Sequence, residues 1–184
     1  MSKSGELEMN IKTKYVLSTI LATVIAVVTY ITLHEAGHCL VALACGAKIT
    51  KFSILSASMA YEGGVFNRFQ FALFHAAGAL FPIIVCFLLL FFYRRTQKGM
   101  LYHQFYFMFS LISIASVFAW ILVPICSIFT EVPQGDDVTK FMVETGFSPL
   151  IVVFGALMII LPMIFLVRKK GVLGVLIDIA KKVA

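Results

Sequence analysis

Two histidines and a glutamate fall within five consecutive positions of an otherwise apolar stretch: His34-Glu35-Ala36-Gly37-His38. Ionisable side chains inside a membrane segment cost about 2.5–3.5 kcal/mol each on insertion scales, so they are rare there and usually functional. The spacing is H-E-x-x-H. On a helix the two histidines stand one turn apart and present their imidazoles on one face. That geometry suits two ligands of a single tetrahedral zinc ion, and Glu35 on the adjacent turn is placed to act as a base toward a water that the metal activates.

A catalytic zinc usually takes three protein ligands and keeps one position for water. The third must come from elsewhere in the chain, where acidic candidates are few: Glu62, Glu131, Asp136, Asp137 and Glu144. Pro133-Gln134-Gly135 breaks the chain just before Asp136-Asp137, and helical potential follows from Val138 to Val143. An aspartate at a helix start also caps free backbone N–H groups. One aspartate is therefore expected as ligand and the other as cap, with Asp136 preferred as ligand over Asp137. His75 is expected as a structural hydrogen-bonding group outside the ligand set, and His103 as an interfacial residue.

The elements that must position these groups are membrane helices. The 184 residues are 61% hydrophobic, with a mean hydropathy of +1.00. Apolar stretches of about twenty residues imply spanning helices. Four are expected, at about 15–45, 69–93, 101–129 and 149–167, in a single membrane-embedded domain over 1–184. The first is too long for one straight span, so a tilt, a kink or a boundary near Ala44-Cys45-Gly46 is expected. It is also too long for a cleavable signal peptide. Residues 1–14 read as polar and loosely ordered.

Between the first two spans, 46–67 is rich in β-branched, aromatic and small residues, with Glu62-Gly63-Gly64 supplying turn chemistry, and reads as a β-hairpin. Such a strand can bind an unfolded peptide by edge addition. The tail 171–184 is weakly amphipathic and reads as a membrane-surface segment. The fold class is thus an all-α polytopic membrane protein with a short hairpin after its first helix.

Charge placement orients the chain. The side that holds both termini and the Arg94–Lys98 turn carries eleven Lys or Arg, against Lys48, Lys51, Arg68 and Lys140 on the other. The positive-inside rule places both termini in the cytoplasm. Counting back from Gly46, His38 lies about 12 Å from the helix end, nearer the extracytoplasmic face. The net charge of +6 is membrane-anchoring charge and gives no reason to invoke nucleic acid. The four cysteines form no disulfide framework and are expected to pack as small hydrophobes.

With the histidine pair, Gly37 and the distant Pro…Gly-Asp cluster in view, the chain resembles the site-2 protease family of intramembrane zinc metalloproteases. His34, Glu35, Gly37 and His38 match that family's H-E-x-G-H residue by residue. The resemblance implies that His34 and His38 are zinc ligands, Glu35 the catalytic base, and an aspartate of Pro133-Gln134-Gly135-Asp136-Asp137 the third ligand. It also implies a hairpin or sheet after the motif helix, where 46–67 lies, and a membrane-protein substrate within the lipid bilayer. The family's middle-helix Gly-Pro-x-x-Asn is matched only in place by Gly78-Ala79-Leu80-Phe81. Ala79 stands where the family has Pro, no Asn follows, and Asp137 stands where it usually has Gly. The match is sharp only at the first motif, as in a divergent branch.

Three other readings use the same residues. A membrane zincin of the prenyl-protein protease type takes a downstream glutamate as ligand, but neither Glu131 nor Glu144 has the accompanying Glu-x-x-x-Asp pattern. A catalytically inactive relative would act by binding membrane partners, and the altered middle helix suits it. A transporter needs polar groups on several spans, and here the second and third offer little beyond His75 and His103. Four spans make a small enclosure, which a regulatory membrane subunit or a second copy could cover.

Overall fold

In the computed structural model, residues 3–131 and 135–183 are described, with side chains from residue 11 onward. Six helices and one hairpin follow in order: α1 (Lys3–Ala44), β1 (Ala47–Ser53), β2 (Ser58–Gly63), α2 (Arg68–Phe92), α3 (Met100–Ser127), α4 (Asp137–Thr145), α5 (Pro149–Lys170) and α6 (Val172–Val183). Four helices contain stretches long and apolar enough to cross a membrane: Ile11–Ala44, Arg68–Phe92, Met100–Ser127 and Pro149–Lys170. The four expected spans are therefore present with ends shifted by a few residues.

The first helix differs from expectation at its start. Where a loose N-terminus was expected over 1–14, the helix already runs from Lys3. No proline interrupts this segment. A helix nucleated by the apolar run downstream extends at little cost per residue. The chain stays helical to Ala44 and turns at Gly46, whose φ of +80° is a backbone state that glycine reaches without strain. Ala22, Ala26 and Ala42 are fully buried, and such small side chains let a neighbouring helix come close. Val16, Leu17, Ile20, Leu21 and Val24 are exposed, as lipid-facing residues are.

The hairpin pairs antiparallel from Ala47↔Gly63 to Ser53↔Ser58, with an irregularity between Ile49 and Lys51. Its Ile49, Met59 and Tyr61 pack with Phe66 against Ala42, Ala47 and Phe74, forming a small core that seats the hairpin on α1 and α2. A larger core of Ile83, Cys86, Leu90, Phe109, Val117, Ile160 and Met163 joins α2, α3 and α5. The helix starts are capped as the sequence dictates. Asn67 and Gln70 form a reciprocal capping box at α2, each bond 2.9 Å, and Pro149 occupies the first turn of α5.

At the opposite end from the hairpin, Arg95 closes the end of α5, donating from Nε to the Lys170 carbonyl (2.6 Å) and from Nη2 to that of Lys169 (2.9 Å). His103, expected at an interface, is buried between Tyr93 and Gln97: its Nδ1 lies 2.8 Å from the Tyr93 hydroxyl and its Nε2 2.6 Å from the Gln97 carbonyl. Both ring nitrogens are satisfied by the α2–α3 connection, so the residue is structural. Gln104 is also buried. It donates to Thr19 Oγ1 (2.7 Å) and accepts from Ser18, tying α3 to α1 within the span. All four cysteines are free; Cys39 and Cys86 are buried as expected, whereas Cys126 is exposed.

Candidate metal centre

The helical spacing of His34 and His38 brings their Nε2 atoms to 3.2 Å from one another. Asp137 Oδ2 lies 3.3 Å from His38 Nε2 and 3.6 Å from His34 Nε2. A tetrahedral ion with bonds of about 2.0–2.1 Å has ligand atoms about 3.3 Å apart, so the three separations match the edges of one such polyhedron. These residues are a group that could hold a metal ion. Two imidazoles and one carboxylate suit zinc and other first-row divalent ions.

The proton arrangement supports a shared cation. His38 Nδ1 lies 2.7 Å from the Phe74 carbonyl, an acceptor only, so it carries the proton. In the neutral ring its Nε2 then presents a lone pair toward His34 and Asp137. Three electron-rich atoms converge, and a positive charge must lie among them, as a proton on an imidazole or as a metal ion. Asp137 feels the same field. Burial opposes its charge, but hydrogen bonds to His34, His38 and His75 outweigh that and hold its carboxyl well below the ordinary range.

Glycines make room for the convergence. A Cβ on Gly78 would stand 2.8 Å from His34 Nε2 and closer still to His38 Nε2, so the ring nitrogens occupy space that any other residue would fill. A Cβ on Gly37 would collide with the Ala77 carbonyl, which places the α1–α2 crossing beside the motif. The other nitrogen of His34, Nδ1, is buried and has no hydrogen-bond partner among the described residues. That ring rests instead against Tyr30 and His38, with ring centroids 5.9 and 4.9 Å away.

The two aspartates divide the expected roles in the opposite sense to the one preferred from sequence. Asp136 is the cap: Oδ1 accepts from the Thr139 amide (3.0 Å) and Oδ2 from the Thr139 hydroxyl (2.7 Å). Asp137, the first residue of α4, turns toward the histidines. Adjacent residues on a helix point about 100° apart, so one chain entry cannot serve both tasks with one residue. Of the other acidic candidates, Glu62, Glu131 and Glu144 are not among the residues that could hold the ion. Pro133 and Gln134, part of the cluster that marked this region, lie outside the described residues.

Glu35 is 5% exposed and receives no hydrogen bond from a described residue. His75, set apart from the ligands on sequence grounds, is absent from the triad yet touches it, with Nδ1 3.1 Å from Asp137 Oδ1. The centre is not sealed: the side chains of His34 and Asp137 each keep 27% of their exposure. Beside it a groove of about 650 Å³ runs between β2 and α4, lined by Met59, Tyr61, Phe74, His75, Lys140 and Glu144 among others. Compared with protein-family models, curated proteins and solved structures, the chain matches none.

Proposed function

We propose that this protein is a zinc-dependent intramembrane endopeptidase, similar to site-2 proteases, that cuts transmembrane or membrane-proximal segments of protein substrates. The observation that carries the reading is the convergence of Asp137 of α4 with His34 and His38, which stand next to the buried Glu35 on a helix long and apolar enough to span a membrane. His34 and His38 would hold the ion through Nε2 and Asp137 through Oδ2. A zinc ion there supplies a Lewis acid that makes water nucleophilic near neutral pH and polarises a peptide carbonyl. Glu35 takes the proton from the attacking water and returns it to the departing amine. Its burial, with no hydrogen-bond partner among the described residues, leaves the carboxylate able to accept.

A helical substrate shields its own peptide bonds, so it must unwind locally to be cut. Its freed N–H groups need partners inside the bilayer. The hairpin has only two strands, so β2 keeps an unpaired side, and the adjacent groove offers room for an extended segment. The excess of Lys and Arg at the end that holds Arg95 and Lys170 supports cytoplasmic termini, which puts the centre nearer the far face.

The test is the purified protein in detergent, assayed for zinc and for cleavage of peptides derived from transmembrane segments, with Glu35→Gln beside the wild type. Cleavage by the wild type and none by the variant, at equal zinc content, is the expected result. Zinc in both with cleavage in neither would leave a membrane protein that binds partners. No zinc in folded wild-type protein would sink the reading altogether.

A further inference from the structure

His75 is a buried polar side chain two turns into α2 that the hydrolytic reading leaves unused. It stands on α2, with Phe71 and Phe74 packed against its ring at centroid distances of 5.5 and 5.3 Å, and its side chain is only 6% exposed. Its Nδ1 faces Asp137 Oδ1 at 3.1 Å, while the other carboxylate oxygen, Oδ2, faces the two histidines of α1. The two oxygens of one carboxylate thus have separate partners on separate helices.

We propose that His75 is a positioning residue for the metal centre: its Nδ1–H holds Asp137 Oδ1, so that Oδ2 alone is presented as a one-oxygen ligand. The inference rests on the metalloprotease reading. A carboxylate can bind a metal through either oxygen or both, and rotation about its last bond exchanges them. A donor fixed on one oxygen removes that freedom and leaves a coordination position for water. Asp137 needs the restraint because it sits at the first residue of a nine-residue helix outside the spans, whereas His34 and His38 are held by a continuous membrane helix. His75 is not itself a fourth ligand, because its nitrogen addresses the outer oxygen rather than the point where the other three atoms meet. Hydrogen-bonded partners of this kind change metal affinity by about 10–100-fold when removed.

The experiment measures zinc affinity of the full chain in detergent, against a competing chelator, for wild type, His75→Phe and His75→Asn, and for Asp137→Ala with and without His75→Phe. Circular dichroism checks that each is folded. His75→Phe is expected to bind zinc about 10–100-fold more weakly. His75→Asn, whose amide nitrogen stands near the place of Nδ1, is expected to recover most of the loss. In the Asp137→Ala background, His75→Phe is expected to add nothing. The visible spectrum of the cobalt-loaded protein should change in His75→Phe and return toward wild type in His75→Asn. His75→Gln, which carries its donor one bond further out, replaces the Phe variant if that one does not fold. Undiminished affinity in His75→Phe overturns the proposal, as does an equal loss in His75→Asn or a full loss in the Asp137→Ala background. A wild type that binds no zinc overturns this proposal together with the metal reading, whereas a wild type that binds zinc with an indifferent His75 overturns this proposal alone.

Discussion

Replacing Gly78 by alanine isolates the geometry of the centre from its chemistry, because no ligand is touched. The added Cβ would stand 2.7 Å from His34 Cε1 and 2.8 Å from His34 Nε2, with His38 Nε2 nearer still. Unstrained contacts begin at about 3.5 Å, so the His34 ring must withdraw by about 0.8 Å and the His38 ring by more, or α2 must retreat from α1. Metal–ligand distances tolerate errors of only about 0.2 Å. The displacement exceeds that tolerance more than threefold, and Gly78→Ala should purify with little or no zinc. Stability should change far less. Alanine in a helix interior gains about 0.5–1 kcal/mol over glycine, while overpacking costs about 1–3 kcal/mol, so a net loss of about 0–2.5 kcal/mol is expected. Gly155→Ala on α5 is the control, because a Cβ there meets nothing within 4 Å. The assay is zinc per chain by elemental analysis, with chemical unfolding of each variant alongside. A Gly78→Ala protein that keeps its zinc at wild-type affinity would refute the reasoning, since the three ligand atoms could not then lie where they do.

Two further outcomes follow from the division of roles between the aspartates. Asp136→Ala should cost about 0.5–2 kcal/mol through loss of the α4 cap with zinc affinity unchanged, and Asp137→Ala should keep only a weak, measurable affinity through the two histidines; elemental analysis after purification separates them, and zinc lost from Asp136→Ala alone would reverse the assignment. The depressed acidity of Asp137 also fixes a sign: a carboxyl whose folded pKa lies below its unfolded value of about 3.9 stabilises the fold above that pH and loses the contribution as the pH falls through it. In metal-free protein, the stability advantage of wild type over Asp137→Asn should therefore shrink as the pH falls below about 5. Unfolding curves across the acid range test this, and an advantage that grows toward low pH would contradict it.

The parts of this fold that were legible are those set by local pattern. Hydropathy alone located the spans, because a bilayer demands about twenty apolar residues from each. The hairpin was legible from its β-branched residues, but its turn falls at residues 54–57, and Glu62-Gly63-Gly64, the expected turn, instead ends β2. The histidine pair was legible because a separation of four residues means one helical face wherever the helix goes. What escaped depends on tertiary contact. Asp136 and Asp137 are alike as ligands and as caps, and only the approach of α4 to α1 decides between them. A faint local signal did exist: Thr139 stands three residues after Asp136, where both its amide and its hydroxyl can bond a capping carboxylate. His75 could be placed on the second span, but its bond to Asp137 crosses 62 positions that no local rule connects. Gln104 was overlooked as a polar group in the third span, and its partners Ser18 and Thr19 lie on the first helix. The early start of α1 is not marked by polarity, because a helix tolerates polar residues that no proline interrupts.

The origin of the three ligand atoms from α1 and α4 has a consequence in time. About one hundred residues separate His38 from Asp137, and at about 5–20 residues per second their synthesis takes about 5–20 s. During that interval the first helix can already be in the membrane, carrying two imidazoles and Glu35 without the carboxylate that completes the set. Two imidazoles hold a divalent ion weakly. In the proposed reading, therefore, the nascent chain is catalytically silent however early its first helix is inserted. On that reading activity would begin only when α4 docks against α2 and closes the centre, and the order of elements along the chain would act as a built-in delay on a hydrolase made inside the bilayer.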